Sequence, residues 1–129
     1  MVDYFSLYKT CLQVISEKKP DQLSDFIDYM SKEKVITDAL AAGTSQDLLI
    51  QDTLEVVRNL FDDGLIRATP LRTKDGEDYF FNGLTTSGHS YLEALKSPDF
   101  VAKAKTFLKE EGIPMTPQAV TKALANLIF

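Results

Sequence analysis

The sequence predicts a mainly α-helical domain that carries one small β-hairpin, which is an α+β fold. Residues 60–66 resemble the end of an amphipathic helix that turns through a glycine into a strand, and residues 84–92 resemble a strand end that enters a new helix. Between them, the run Lys74-Asp75-Gly76 is typical of the tip of a tight hairpin. This order of helix, glycine turn, hairpin and helix predicts a winged helix-turn-helix unit with a helical C-terminal extension.

The first third of the chain shows helical spacing of its apolar residues. Between residues 3 and 18 they recur every three or four positions, which predicts an amphipathic helix with one apolar stripe. A second helix is expected to begin at Asp21, whose carboxylate could accept hydrogen bonds from free backbone amides. Residues 32–43 could continue as a helix after a break near Ser31, and Gly43 would end it.

A strong helix start signal follows at residues 44–47, where hydroxyl side chains precede an acid. The helix that it opens is expected to cover residues 45–62 and to bury a broad apolar face. Its outer face would carry Asp47, Gln51, Glu55, Arg58 and Asp62. Gly64 lies where a left-handed residue ends a helix, a conformation that glycine adopts without steric cost.

Two short antiparallel strands are expected at residues 65–71 and 78–82. Asp75 and Gly76 form the turn signal between them, because this pair favours the positive φ angles of a tight hairpin. Pro70 has no amide proton for a central ladder, so we expect it at a strand edge or at the base of the wing.

The C-terminal half of the chain predicts three consecutive helices. Thr85 is expected to cap the first, and the hydroxyl–proline pairs Ser97-Pro98 and Thr116-Pro117 are expected to open the other two. We therefore predict a winged-helix domain in residues 1–96 and a helical extension in residues 97–129. The extension would pack on that domain or on a partner.

The charge distribution bears on the choice of partner. The chain has 19 acidic and 14 basic side chains and a formal net charge of −5. Residues 44–69, which contain the expected recognition helix, are the most acidic segment, with five acids and two bases. Proteins that hold nucleic acid through its phosphates usually present a basic face. The charges therefore disfavour DNA binding without excluding it.

The composition also predicts a cytoplasmic protein with no membrane association. No apolar run approaches the ~20 residues that span a bilayer, and no basic and then apolar leader opens the chain. The single cysteine, Cys11, cannot form an internal disulfide, which agrees with a reducing compartment, and we expect it to be a small core residue.

Residues 54–66, the wing, and the run Leu84-Thr85-x-x-Gly88-His89-x-Tyr91-Leu92 resemble two uncharacterised winged-helix families of bacteria and their prophages. One is the YjcQ-like family, whose pattern is similar over roughly residues 1–95. The other is a domain of unknown function in which a Leu-Thr-x-x-Gly-His-x-aromatic-Leu run precedes two further helices, and residues 97–105 look like its tail. Neither family brings a settled activity, so the resemblance implies a fold and an origin in a mobile element.

No catalytic residue, metal site or cofactor is predicted. His89 is the only histidine, and no ligand cluster, nucleophile motif or glycine-rich phosphate loop accompanies it. We expect a non-enzymatic protein in which His89 has a packing role, with a ring nitrogen bonded to the wing or to a nearby carbonyl. Gly88 would then let its helix approach the sheet closely.

Binding of double-stranded DNA would take a specific form. The helix at residues 45–62 would enter the major groove, and the wing would touch phosphates or the minor groove. The candidate DNA contacts are Gln46, Gln51, Arg58, Asn59, Arg67, Arg72 and Lys74. Asp47, Asp52 and Glu55, on or near the same helix surface, would oppose them.

The competing hypothesis is a protein-interaction or assembly module, for which an acidic recognition helix is the expected mark. The apolar terminus Asn126-Leu127-Ile128-Phe129 must also be buried, either on its own domain or in a homodimer through the C-terminal helices. The sequence thus predicts a regulator or accessory protein, with DNA-binding transcriptional regulation and partner binding as alternatives.

Overall fold

The computed structural model describes residues 3–74 and 76–128. Within these residues the chain forms seven α-helices and one two-stranded antiparallel sheet, which confirms the predicted α+β class. In chain order the elements are α1 Tyr4–Glu17, α2 Leu23–Ser31, α3 Lys34–Ala41, α4 Gln46–Asp62, β1 Ile66–Thr73, β2 Gly76–Leu84, α5 Thr86–Leu95, α6 Pro98–Glu110 and α7 Pro117–Ile128. Asp75, half of the predicted turn signal, lies outside the described residues.

Helix α1 runs through the middle of the core. The apolar stripe predicted for it is buried, and burial extends beyond this stripe on both of its sides. Leu7, Cys11 and Ile15 are fully buried along the predicted stripe, and Phe5 and Val14 widen the buried face at its two edges. The cause is tertiary, since α2, α4, α5, α7 and β2 all pack around α1. Cys11 is a buried free thiol, and burial raises its pKa.

The start of α2 differs from the prediction for Asp21. The N-cap is Gln22, and the amide of Leu23 donates to Oδ1 of Asp78, at 3.1 Å, on the hairpin. Asp21 instead offers its backbone carbonyl to the amide of Phe81 at 2.9 Å. A single antiparallel bridge between Gln22 and Phe80 adds to this contact. The chain before α2 therefore anchors the hairpin. The start of α2 is bonded by a carboxylate from a strand 55 residues away and by its own Asp25, which accepts from the amide of Gln22 at 3.2 Å.

The junction between α4 and the hairpin is built from two turns that meet. Gly64 has a φ of +70°, which ends α4, and the amide of Leu65 closes the turn by donating to the carbonyl of Leu60 at 2.9 Å. Thr85 joins this turn to α5, because its Oγ1 donates to the carbonyl of Gly64 at 2.7 Å and accepts from the amide of Gly88 at 3.1 Å. The amide of Thr85 donates to the carbonyl of Leu65 at 3.0 Å.

Gly88 packs directly on the backbone of this junction. A Cβ atom at position 88 would lie 2.0 Å from the carbonyl oxygen of Leu65 and 3.2 Å from Cβ of Leu84. The nearer atom belongs to the backbone and cannot rotate away. Helix α5 can approach the hairpin this closely only because residue 88 has no side chain.

The hairpin packs its inner face on α2 and α4. Strand β1 pairs only with β2 within the described part of the chain, so Pro70 lies in an edge strand, where its missing amide proton is tolerated. The ring of Tyr79 lies 5.6 Å from that of Phe61 on α4, and the ring of Phe81 lies 5.4 Å from that of Phe26 on α2. These contacts fix the orientation of the hairpin relative to α4.

Helices α6 and α7 share the core with the rest of the chain. Ala104 and Leu108 of α6 are buried in it, as are Val120 and Leu124 of α7. The hydroxyl of Thr121 donates to the phenol oxygen of Tyr8 at 3.2 Å, which ties α7 to α1. The inner face of α7 is thus occupied within the chain.

Replacement of Gly88 by alanine should destabilise the protein by about 1–3 kcal/mol, because the added methyl group overlaps a backbone carbonyl. Urea unfolding monitored by circular dichroism measures this change. Ser90→Ala, on an exposed position of the same helix, is the matched control and should change stability by less than about 0.5 kcal/mol. Equal stabilities of the two variants would contradict the close approach at residue 88.

Candidate functional site

The outer face of α4 and the hairpin beside it form the candidate functional surface. Asp47, Gln51, Arg58 and Asp62 are exposed on α4, and Glu55 is half-buried next to them. These are the residues that helical spacing placed on the outer face. Gln46 is exposed at the first position of the helix. We call the exposed row of Asp47, Gln51, Arg58 and Asp62, together with Glu55, the α4 stripe.

Arg58, the only base of the α4 stripe, is turned toward the hairpin. Its Nε lies 3.6 Å from Oε2 of Glu77, and each side chain is more than half exposed. In the sheet register Glu77 is the direct partner of Arg72. Glu77 therefore stands between two arginines. The exposed pair contributes at most about 1 kcal/mol to stability, but it partly neutralises the one cation that α4 presents.

One of the acids expected to repel DNA is buried. Asp52 is only 8% exposed, and its Oδ2 accepts a hydrogen bond from the hydroxyl of Tyr4 at 3.2 Å. Burial and the nearby Asp52 carboxylate raise the pKa of the Tyr4 hydroxyl, so the phenol stays protonated as a donor. The expectation that Asp52 lies on the exposed surface is wrong, because α1 covers that side of α4.

Asn59 is poorly placed to contact DNA. The residue is half-buried, and its Nδ2 atom is inaccessible to solvent, with no acceptor among the residues that the structure describes. It therefore lies off the α4 stripe. To read a base edge, this amide would first have to rotate out of its packed position.

The cations of the hairpin are exposed. Arg67, Arg72 and Lys74 are all open to solvent, with Lys74 beside Gly76 at the tip. The hydroxyl of Thr73 donates to the carbonyl of Gly76 at 2.9 Å, and Gly76 has a φ of +120°. The structure thus brings Arg58 and Arg72 to one cleft and leaves Arg67 and Lys74 outside it.

The C-terminal end of α4 carries two adjacent acids. Asp63 is the C-cap residue, and burial and then the neighbouring Asp62 raise its carboxyl pKa above the usual 3.8. Both carboxylates face the negative end of the helix dipole. The charged form of Asp63 is therefore disfavoured in the folded protein.

An apolar groove lies beside the α4 stripe, between α2, α3 and α4. At its α3 end the larger apolar lining side chains are Ile27, Met30, Ile36, Leu40, Leu49 and Ile50. At its hairpin end Ile27 and Ile50 continue the lining together with Leu23, Leu54, Glu77 and Asp78. We call this surface the α2–α4 groove. Its two ends are continuous because they share Ile27 and Ile50.

His89 does not take the packing position expected for it. Its side chain is exposed, and the structure shows no bond between its ring and the hairpin or a carbonyl in the described part of the chain. Tyr91, Leu92 and Leu95 occupy the buried face of α5, so His89 falls outside that face. It lines a polar cleft with Lys19 and Asn82.

Residues 3–74 and 76–128 contain no cluster of three or more histidine, cysteine, aspartate or glutamate side chains that could hold a metal ion. Over the same residues, none of the helices combines the length and the apolar character needed to cross a membrane.

In α7, Leu127 is exposed and Ile128 half-buried, while Phe129 lies outside the described residues.

Asp63→Asn should stabilise the protein at pH 7, because it removes a charge that the folded state disfavours. The gain should be only a few tenths of a kcal/mol, since the side chain is exposed and solvent screens its charge. A group with a raised pKa stabilises the fold below its unfolded pKa and loses that contribution as pH rises through the folded value. The gain should therefore vanish below about pH 3. Chemical unfolding at both pH values measures it.

Asp47→Asn is the matched control for this effect. Asp47 lies in the first turn of α4, where a carboxylate is favourable to the dipole, so the variant should be destabilised. Stabilisation by both substitutions would mean that net charge, rather than position along α4, governs the result.

The comparisons with known proteins place most of the chain in a family. The model of the family described as "Hypothetical protein (DUF2513)" matches residues 23–114, from the first residue of α2 to the loop before α7. No curated protein and no solved structure matches the chain. The matched segment holds the α4 stripe, the hairpin and the α2–α4 groove. Because it covers well over half of the sequence, the chain belongs to this uncharacterised family.

Proposed function

We propose that this protein is a non-enzymatic winged-helix module that binds another protein through the surface of α4 and the hairpin. One observation carries the proposal. The α4 stripe presents Asp47, Glu55 and Asp62, none of which has an ion-pair partner in the described chain, whereas its one base, Arg58, is paired with Glu77. The helix that would enter a DNA groove is therefore acidic.

The physical argument concerns phosphate. A DNA duplex carries one negative charge per ~1.7 Å of its axis, and proteins gain affinity by placing cations against it. Two like charges 4 Å apart repel by about 1 kcal/mol even in water. Three acids along α4 would each meet this repulsion. A protein partner with basic side chains would instead meet attraction at the same positions, which favours the interaction module.

A second candidate is DNA contact through the hairpin alone. It is favoured by Arg67, Arg72 and Lys74, which are exposed and whose ion-pair partners are not found among the described residues. In that arrangement the wing would hold phosphates while α4 stayed outside the major groove. Such binding would be weak, because three contacts release few counterions.

A relationship to a more specific winged-helix family stays a prediction. The order of α4, the glycine turn, the hairpin and α5 supports the winged-helix interpretation. The relationship to the YjcQ-like family, an origin in a bacterium or its prophage, and a cytoplasmic location are proposed on the sequence resemblance and composition alone.

Fluorescence anisotropy with a labelled random duplex at low salt tests the proposal. The wild-type protein should show no binding, because the acids of the α4 stripe repel the backbone. Removal of those charges by the triple substitution Asp47→Asn, Glu55→Gln and Asp62→Asn should create weak binding that disappears as salt is added. Salt-dependent binding by the wild-type protein would overturn the proposal in favour of DNA.

If the wild-type protein does bind duplex, a second variant locates the contact. Replacement of Arg72 and Lys74 by alanine should reduce the slope of log affinity against log salt by about two, since each cation neutralises one phosphate. An unchanged slope in the double variant would exclude the hairpin tip as a phosphate contact. A matched control is Lys103→Ala, an exposed cation on α6 that lies away from the hairpin.

A further inference from the structure

The α2–α4 groove has the dimensions of a socket for side chains. Its α3 end encloses a cavity of about 70 Å³, far below the roughly 300 Å³ at which small-molecule sites begin. The hairpin end is a wider, open trough of about 590 Å³. A small apolar socket that opens into a trough suits an anchor side chain at one end of a longer segment.

The socket is apolar, and part of its wall is open to solvent. Leu40 on α3 is 42% exposed, whereas Leu49 on the opposite wall is buried. The polar lining of this end consists of Ser31, Gln46 and Thr53, and the hydroxyl of Thr53 already donates to the carbonyl of Leu49 at 2.7 Å. Burial of one leucine-sized side chain in such a site raises affinity roughly tenfold to a hundredfold.

The groove favours a helix over an extended segment. The walls of its apolar part are α2, α3 and α4, whose backbone groups are bonded within the helices, so they offer no ladder to an added strand. An extended peptide would leave its own backbone unpaired in the apolar part of the groove. A helix satisfies its backbone internally and presents side chains three and four positions apart to a groove of this kind.

The distribution of charge along the groove predicts which end of a bound helix faces the hairpin. The α3 end is lined by uncharged side chains, and the hairpin end adds Glu77 and Asp78 without any base in its lining. Arg58 lies outside this lining at 3.6 Å from Glu77, so a ligand cation would share that carboxylate and would meet Asp78 without a competing base. The complementary ligand therefore has apolar side chains toward α3 and cations toward the hairpin.

We propose that the α2–α4 groove binds an amphipathic helix of a partner protein, with an apolar stripe over Ile27, Leu40 and Ile50 and basic side chains against Glu77 and Asp78. This inference rests on the proposed function and specifies its partner. The helix seats an apolar anchor in the socket and sets its cationic end at the hairpin. The acidic net charge of the chain speeds encounter with such a partner.

The experiment uses the full chain and two synthetic peptides of about 16 residues, roughly 24 Å long as helices. Both carry leucines at helical spacing; one ends in two lysines and the other ends in two glutamates. Fluorescence anisotropy should show micromolar binding of the lysine peptide and at least about tenfold weaker binding of the glutamate peptide, because only the first complements Glu77 and Asp78. The difference should shrink as salt is added.

Two variants locate the binding site. Leu40→Gln should weaken the lysine peptide about tenfold or more, because it places a polar amide in the socket. Leu127→Gln on α7 is the matched control: Leu127 is 40% exposed, nearly the same as Leu40 at 42%, and the variant should bind as the wild type does. Both leucines are open to solvent, so both variants should fold, which circular dichroism verifies.

Each other outcome overturns the proposal. The groove would be excluded as a site for basic helices if the two peptides bound equally or if neither bound. It would also be excluded if Leu40→Gln and Leu127→Gln had equal effects on binding. Sedimentation that shows self-association abolished by Leu40→Gln would assign the groove to a second copy of the chain. If neither peptide binds and the protein has no affinity for duplex DNA, only the proposal for the groove is overturned. Salt-dependent binding of duplex DNA would overturn the proposed function itself.

Discussion

The architecture depends on the place where the turn after α4 meets the turn before α5. Thr85 bonds to the carbonyls of Gly64 and Leu65, and Gly88 lies against the same backbone. A two-stranded hairpin is marginal on its own in water. Here both of its ends are held at one point, and the carboxylate of Asp78 holds its side through the amide of Leu23. The hairpin is therefore a fixed extension of the α4 surface.

This fixed placement decides the electrostatics of the candidate surface. With the hairpin held over α4, Glu77 comes within 3.6 Å of Arg58 and faces Arg72 across the sheet. The same placement brings Glu77 and Asp78 to one end of the α2–α4 groove. A single structural constraint thus reduces the positive charge available to a phosphate backbone and places two carboxylates at one end of the neighbouring apolar groove.

Local signals allowed the sequence to predict the helix ends, and distant contacts explain what it missed. Ser45, Thr85 and Ser97 cap their helices through side chains within three residues, and Gly64 acts within its own turn. The burial of Asp52 depends on Tyr4, 48 residues away. The anchoring of α2 by Asp78 and the pairing of Arg58 with Glu77 likewise join distant segments. The α2–α4 groove was missed because its walls come from three helices whose relative placement no local pattern encodes.

The charges of α4 also bear on whether its surface is used. Asp62 and Asp63 lie at the negative end of the helix dipole, where an acid costs roughly 0.3–1 kcal/mol and a lysine would be favourable. The C-terminal turn of α4 has no basic residue to offset them. Asp62 belongs to the α4 stripe, next to the ion pair of Arg58 with Glu77. Stability alone would favour the opposite charge at this position. In the proposed function, a cationic partner at this position would offset the unfavourable interaction of these acids with the helix dipole.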